Sequence, residues 1–166
     1  MFDADDLLDA NPRRKFEDMV ARRCAAGDPF ALMLVDLDEF RTVTAEHGSN
    51  VGDLLLFESN SRLRKRLAPR NVVIRSGDSQ FAVVVPGLDD IDNAERLAHS
   101  LIERLEHSMT ISGTRFRLTA SIGITLFPQH GKDWKALLLG ADTAVHDARM
   151  QGRGRISVSI PAVRGN

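Results

Sequence analysis

The sequence predicts an α+β domain, in which helices flank a central and mostly antiparallel sheet. Apolar runs rich in β-branched residues alternate with segments of helical periodicity. Two of these runs flank a Gly-Asp-Ser turn, which is typical of a tight β-hairpin. Helices on both sides of that hairpin indicate a layered α/β arrangement close to the ferredoxin-like order.

Length and composition favour one domain spanning residues 1–166. Hydrophobic residues make up 43% and charged residues 27% of the chain, with a formal net charge of -1. This balance excludes a disordered chain and a polyanion-wrapping protein. The single cysteine, Cys24, excludes a disulfide framework, and no apolar run approaches the roughly 18 residues of a membrane span. We therefore expect a cytoplasmic module from a longer chain.

The first half of the chain predicts one helix, one buried strand and two further helices. The first helix spans Asp6–Ala26, with a break near Pro12. The continuous apolar run Phe30–Leu37 predicts a strand that is buried on both faces. Of the two helices that follow, one is stopped by Gly48, and the other runs from residue 52 to just before Pro69.

The second half predicts a hairpin, a helix, a long strand, a helix and a final strand. In that order they span Val72–Val85, Ile91–His107, Phe116–Phe127, residues 131–152 and residues 155–160. Gly123 inside the long strand predicts that another element packs close to its backbone.

Two aspartates at the end of the buried strand are candidate metal ligands. Asp36 and Asp38 stand two residues apart, so their side chains are expected on the same face, and carboxylate oxygens suit Mg²⁺. The alternative is that Asp38 caps the following helix. The first-turn N–H groups of residues 39–41 would also be free to face an anion.

Other polar groups add to a possible nucleotide site. Asp53 follows Gly52 near a helix start, where it would accept hydrogen bonds from a base edge or act as a helix cap. Arg149, Arg153 and Arg155 cluster near the end of the last helix, either for phosphate or to complement the helix dipole. With the polar hairpin tip, this pattern resembles a site for a Mg²⁺-bridged triphosphate.

Four stretches occur in an order and spacing typical of one family. They are Asp5-x-Leu7 with Arg13-Arg14-x-Phe16, "LVDLDEFRTVTAEHGSNVGDLLL", "LTASIGITLFP" and "ADTAVHDARMQGRGR". They resemble D-x-L-T-G-L-x-N-R-R-x-F, L-x-D-x-D-x-F-K-x-x-N-D-x-x-G-H-x-x-G-D-x-x-L, S-I-G-[IV] and A-D-x-A-L-Y-x-A-K-x-x-G-R-N of GGDEF domains, the diguanylate cyclases that condense two GTP molecules into cyclic di-GMP. The resemblance covers essentially the whole chain and implies a palm-type nucleotide cyclase fold.

The hairpin departs from the motif that gives the family its name. Where the family has R-x-G-G-[DE]-E-F, this chain has Arg75-Ser76-Gly77-Asp78-Ser79-Gln80-Phe81. The resemblance implies that the acid after the second glycine binds metal and helps to activate the attacking hydroxyl, and Ser79 replaces it. A neutral hydroxyl neither balances the charge of Mg²⁺ nor acts as a base at neutral pH. The hairpin is therefore expected to be vestigial, with no catalytic residue intact.

The resemblance also implies vestigial binding positions. Metal would bind the Asp36 carboxylate and the Leu37 carbonyl, and the nucleotide-binding positions would be Phe40, Arg41, Thr44, Asp53, Arg149 and Arg153. Thr44 replaces an asparagine that reads guanine, so guanine selectivity is expected to weaken. The charged ends of the family's product-inhibition motif, R-x-x-D, fall on Ala68 and Asn71, so feedback binding of cyclic di-GMP is not expected.

The expected function is that of a catalytically silent GGDEF domain in cyclic di-GMP signalling. It would act as a regulatory, GTP-sensing or dimerisation module, linked to an EAL or sensor domain, with Mg²⁺–GTP binding that is weak or absent. The alternative is a residual diguanylate cyclase in which Asp78 substitutes as a metal ligand. Nucleic-acid binding is disfavoured, because aromatic residues are only 5% of the chain and tyrosine is absent.

Overall fold

A computed structural model describes residues 12–159. Within that part, the helices are α1 (Pro12–Ala26), α2 (Phe40–His47), α3 (Ser49–Arg66), α4 (Ile91–Glu106) and α5 (Trp134–Met150). The strands are β1 (Phe30–Leu37), β2 (Val72–Arg75), β3 (Gln80–Pro86), β4 (Met109–Ile111), β5 (Thr114–Phe116), β6 (Ala120–Phe127) and β7 (Ile156–Val158). The stretch predicted as helix before Pro12 lies outside the described residues.

Five strands form the main sheet in the order β2-β3-β1-β6-β7. All neighbouring pairs are antiparallel except β6 and β7, which run parallel. The prediction of a mostly antiparallel central sheet is therefore confirmed. The register places Asp36 at the end of β1 between Gln80 of β3 and Ser121 of β6. This register brings the strand end and the hairpin tip to the same edge of the molecule.

The central strands β1 and β6 are buried along their whole length. Helix α5 packs against both of them, and α3 and α4 pack together beside the sheet. The contact with α5 is so close at Gly123 that an added Cβ would lie 2.4 Å from the carbonyl oxygen of Ala141 and 2.6 Å from the backbone nitrogen of Val145. The prediction that another element packs on the Gly123 backbone is confirmed, because any side chain there would push the helix away.

Several predicted boundaries differ from the structure by one to four residues, and two of them have a clear cause. The long strand begins at Ala120 and not at Phe116, because residues 109–116 form a separate two-stranded hairpin with positive φ at Ser112 and Gly113. This Ser-Gly turn was the signal for the missed hairpin. The second of the two helices begins at Ser49 rather than residue 52, because a single residue, Gly48 with φ of 94°, is enough to separate it from α2.

Candidate functional site

The end of β1 and the tip of the β2–β3 hairpin meet at one side-chain contact. The Ser79 hydroxyl donates a hydrogen bond to Oδ1 of Asp36 at 2.9 Å. The backbone supports the contact, since the Leu37 N–H donates to the Ser79 carbonyl at 2.9 Å. Only 11% of the Asp36 side chain is exposed. The structure therefore brings together the strand end and the hairpin position that sequence comparison placed in one site.

A cation from the last turn of α5 contacts the same oxygen of this carboxylate. Nη2 of Arg149 lies 2.8 Å from Oδ1 of Asp36, and its Nε lies 3.6 Å from Oδ1 of Asp38. The two aspartates thus converge, as their spacing predicted, and the group between them is a guanidinium. Because the Arg149 side chain is 41% exposed, its attraction to the carboxylates is partly screened by water.

Burial dominates the electrostatics of Asp36. Desolvation raises the pKa of its carboxyl above the ordinary value of 3.8, and the Arg149 charge and the hydrogen bonds from Ser79 and Gln80 oppose that rise. Burial of the carboxylate therefore costs hydration free energy that these three partners only partly offset.

Asp38 has a different environment, and the alternative that it caps α2 is wrong. Its carboxylate accepts hydrogen bonds from the Thr119 hydroxyl at 2.7 Å, the Ser121 hydroxyl at 2.9 Å and the Gly154 N–H at 3.0 Å. The residue is 2% exposed, and the N-cap of α2 is Glu39, which makes no side-chain cap. We call Asp38 with these three donors the Asp38 clasp, because it ties β1, β6 and the turn before β7 together.

The remaining hairpin side chains differ in their partners, and Gln80 is the one that also hydrogen-bonds to Asp36. Oε1 of Gln80 accepts from the Ser76 hydroxyl at 3.0 Å, and Phe81 is fully buried. The Asp78 side chain is 87% exposed, and its Oδ1 lies 3.9 Å from Nη2 of Arg75. Nε of Arg75 donates to the Gly77 carbonyl at 2.9 Å, which stabilises the turn itself.

Four of the residues expected to bind nucleotide lie on α2 and α3. The Thr44 hydroxyl donates to the Phe40 carbonyl at 2.8 Å, so it is engaged within its own helix. A Cβ on Gly52 would lie 3.0 Å from Oγ1 of Thr44, which shows how tightly the two helices cross. Arg41 and Asp53 are exposed to solvent.

Arg153 takes part in a surface ion pair rather than in the contacts around Asp36. Its guanidinium pairs with the Glu39 carboxylate, and both side chains are more than half exposed. Nε of Arg155 donates to the Gly152 carbonyl at 3.2 Å. Of the three arginines predicted to cluster at this helix end, only Arg149 reaches the aspartates within the described residues.

The donor set does not fit a Mg²⁺-bridged triphosphate. Asp36, the Leu37 carbonyl and the Ser79 hydroxyl together carry one negative charge, and Arg149 already faces it. Among residues 12–159, no group of three or more His, Cys, Asp or Glu side chains is placed to hold a metal ion. A divalent ion at Asp36 would meet the Arg149 cation, and the nearby Asp38 carboxylate is already engaged by Thr119, Ser121 and Gly154.

Sequence reasoning missed the donors of the Asp38 clasp and the contacts of Arg13. Thr119 and Ser121 stand two residues apart at the start of β6, and that spacing was the available signal for a shared partner. Nη2 of Arg13 lies 2.9 Å from Oδ2 of Asp142, and its Nη1 is 3.5 Å from Oε1 of Gln80. No local pattern in the sequence pointed to that bridge between α1, α5 and the hairpin.

Comparison with known proteins places this geometry in context. The family model described as "Diguanylate cyclase, GGDEF domain" matches residues 4–155. A bifunctional diguanylate cyclase/cyclic di-GMP phosphodiesterase, MucR of Pseudomonas aeruginosa, is 36% identical over 124 residues, which is 75% of this chain and 18% of MucR. The cyclic di-GMP phosphodiesterase NbdA of the same organism is 31% identical over 127 residues, or 76% of this chain and 16% of NbdA.

Solved structures agree with the fold. The crystal structure of the GGDEF domain of TpbB from Pseudomonas aeruginosa superposes with a TM-score of 0.84 at 29% identity, over 89% of this chain and 95% of that one. An EAL/GGDEF domain protein from M. capsulatus gives a TM-score of 0.77 at 26% identity, over 90% of this chain and all of that one. Between residues 12 and 159, none of the helices has the length and apolarity needed to cross a membrane.

Proposed function

We propose that this chain, which belongs to the GGDEF domain family, is a module of cyclic di-GMP signalling that does not itself synthesise cyclic di-GMP. It serves instead as a regulatory, GTP-sensing or dimerisation unit. The relatives support the signalling context, since their names include a diguanylate cyclase/phosphodiesterase and a cyclic di-GMP phosphodiesterase.

One observation carries the proposal. At the position of the family's acid after the second glycine, Ser79 donates its hydroxyl hydrogen to Asp36 at 2.9 Å. A hydroxyl that donates its hydrogen to this carboxylate is neutral, so it supplies no negative charge to a metal ion. It also does not accept a proton at neutral pH. The chemistry that the family's acid supplies is therefore missing at the one position that the fold brings to Asp36.

Charge balance argues for weak or absent binding of Mg²⁺–GTP. The single carboxylate that would hold the metal is already opposite the Arg149 guanidinium at 2.8 Å. Any Mg²⁺ would have to displace that cation or share one negative charge with it. Arg149 remains placed to meet an anion on its exposed side, so a metal-free phosphate contact is the form of GTP binding that this site best supports.

The environment of Asp78 disfavours the residual cyclase. Its carboxylate faces solvent near Arg75, and the side chain is 87% exposed. To replace the missing acid it would have to leave that position, and the turn between β2 and β3 would have to change its register. The guanine-reading position is also altered, since the Thr44 hydroxyl already donates to its own helix.

The architecture of relatives supports a linked partner domain. This chain spans only 16–18% of the length of MucR and NbdA, and a structural neighbour is described as an EAL/GGDEF domain protein. We infer that the domain acts through a covalently attached EAL or sensor domain, and that homodimerisation is one way in which it transmits a signal.

The test is an assay of the full chain for cyclic di-GMP with GTP and Mg²⁺, together with the variant D78G/S79E/Q80E, which rebuilds the family hairpin. We expect no product from the natural chain and measurable product from the variant. The matched control is D78G/Q80E, which repairs both neighbours but leaves Ser79 in place, and it should stay silent.

Product from the natural chain at a rate comparable to that of the rebuilt variant would overturn the proposal. A calorimetric titration with GTP, with and without Mg²⁺, then separates the forms of the module. A saturable heat of GTP binding in the absence of Mg²⁺ supports GTP sensing through Arg149. No heat of binding at millimolar GTP supports the regulatory or dimerisation role.

A further inference from the structure

A groove at the opposite end of β2 from the hairpin tip forms a second surface of interest. It lies between the C-terminal half of α3 and the start of β2, has a volume of about 860 Å³, and is lined by residues between Phe57 and Val73. We call it the α3–β2 groove. Strand β2 is an outer strand of the sheet and, within residues 12–159, pairs only with β3, so its other edge can pair with an added strand.

The groove is strongly cationic. Arg64, Lys65 and Arg70 line it, and none of its lining residues is acidic. Lys65 and Arg70 are exposed, and neither has an ion-pair partner among residues 12–159. The neighbouring acid Glu58 is taken up by Arg62, whose Nε lies 3.2 Å from the carboxylate. The positive charges of Lys65 and Arg70 are therefore available to attract an anionic ligand.

Two side-chain oxygens in the same lining lack hydrogen-bond donors. Asn60 is only 7% exposed, and its Oδ1 has no partner among the described residues. Oδ1 of Asn71, across the groove on the segment leading to β2, is also buried without a partner. Buried acceptors of this kind are rare and costly, and both lie in the wall of the groove beneath its surface.

The groove also offers apolar surface. The Phe57 side chain is 55% exposed on α3 and lines the groove together with Val72 and Val73 of β2. An aromatic ring that is left half in water beside an open strand edge is a typical anchor for an apolar side chain of a partner.

We propose that the α3–β2 groove docks an extended, acidic segment of a partner protein. The segment would lie along β2 and bring backbone N–H groups to the strand edge. Its carboxylates would meet Lys65 and Arg70, and an apolar side chain would cover Phe57. Strand addition of this kind needs main-chain pairing, which a peptide supplies and a nucleic acid does not. The proposal is independent of the hairpin and of any nucleotide at Asp36.

The test uses nuclear magnetic resonance of the ¹⁵N-labelled full chain titrated with a capped heptapeptide of alternating glutamate and leucine. We expect saturable shifts of the backbone amides of β2 and of the side-chain amides of Asn60 and Asn71. The charge reversal K65E/R70E should weaken the affinity at least tenfold. The control R115E/R117E reverses two exposed arginines near β5 and should leave the affinity within twofold of the natural chain.

Three results would overturn the proposal. The first is the absence of shifts in β2 at millimolar peptide. The second is binding that survives K65E/R70E, or that is equally strong with a peptide of lysine and leucine. The third is displacement of the peptide from these residues by cyclic di-GMP or by a single-stranded oligonucleotide at lower concentration, because the groove would then be a phosphate site. N71A should weaken the peptide without unfolding the chain, which a thermal melt checks.

Discussion

The two aspartates at the end of β1 stand two residues apart and have opposite environments. Asp38 is almost fully buried, and three protein donors satisfy it. Asp36 is bound by one hydroxyl and by a partly exposed guanidinium. The first arrangement is that of a structural tie, and in the second a buried carboxylate is held by a hairpin hydroxyl and a helix-end cation. The difference shows that matching a motif residue does not fix its role.

Removing the Asp38 clasp should give the largest effect. D38A leaves the Thr119 and Ser121 hydroxyls and the Gly154 N–H without their acceptor in a buried place, so we expect a loss of about 3 kcal/mol in the free energy of unfolding. Urea denaturation measures it. D38N, which keeps one carbonyl acceptor, is the matched control and should lose about half as much. A loss below about 1 kcal/mol for D38A would mean that the clasp does not tie these strands together.

Arg149 connects the two environments and should have an intermediate effect. R149M should lower the free energy of unfolding by about 1 kcal/mol, because the ion pair with Asp36 is partly exposed. Double-mutant cycles that combine R149M with D36N and with D38N should give the larger coupling energy for D36N. The reason is that Arg149 lies 2.8 Å from the Asp36 carboxylate and 3.6 Å from that of Asp38. R153M is the control, since Arg153 and Glu39 lie at the surface. Equal coupling to both aspartates would remove the distinction between them.

The smallest effect should be a change in pH dependence at Asp36. Because burial raises the pKa of this carboxyl, the native state holds its proton more tightly than the unfolded chain does. Protonation of Asp36 therefore contributes fully to the free energy of unfolding below pH 3.8, the ordinary pKa. That contribution is lost as the pH rises from 3.8 through the raised pKa of the native state. D36N does not titrate, so its stability relative to the natural chain should increase over that range.

Denaturation of both proteins between pH 3 and pH 7 measures this difference. If the stability of D36N relative to the natural chain falls with rising pH, then Arg149 and Ser79 affect the pKa of Asp36 more than burial does. D38N, measured in the same series, serves as the comparison for a carboxylate whose hydrogen bonds are all made within the protein.

Local signals were sufficient for most elements of the fold. The apolar run Phe30–Leu37 became β1 with those boundaries, and the helical spacing after Ile91 became α4. The long strand was misjudged because Thr and Leu continue the alternating pattern through residues 117–119. The Thr119 carbonyl still accepts from the Asp38 N–H, next to the last pair of β1 and β6, but residues 114–116 pair with residues 109–111 and not with β1. Periodicity does not record which strand a segment pairs with.

By itself the sequence determined the family, the mostly antiparallel sheet and the replacement of the family's acid by Ser79, because residue type and spacing carry these directly. Only the tertiary structure decided what surrounds each aspartate. Thr119, Gly154 and Arg149 lie far from β1 in the chain, and packing alone brings them to Asp36 and Asp38. The role of a carboxylate depends on its burial and on the donors within about 3 Å, and both are properties of the folded chain.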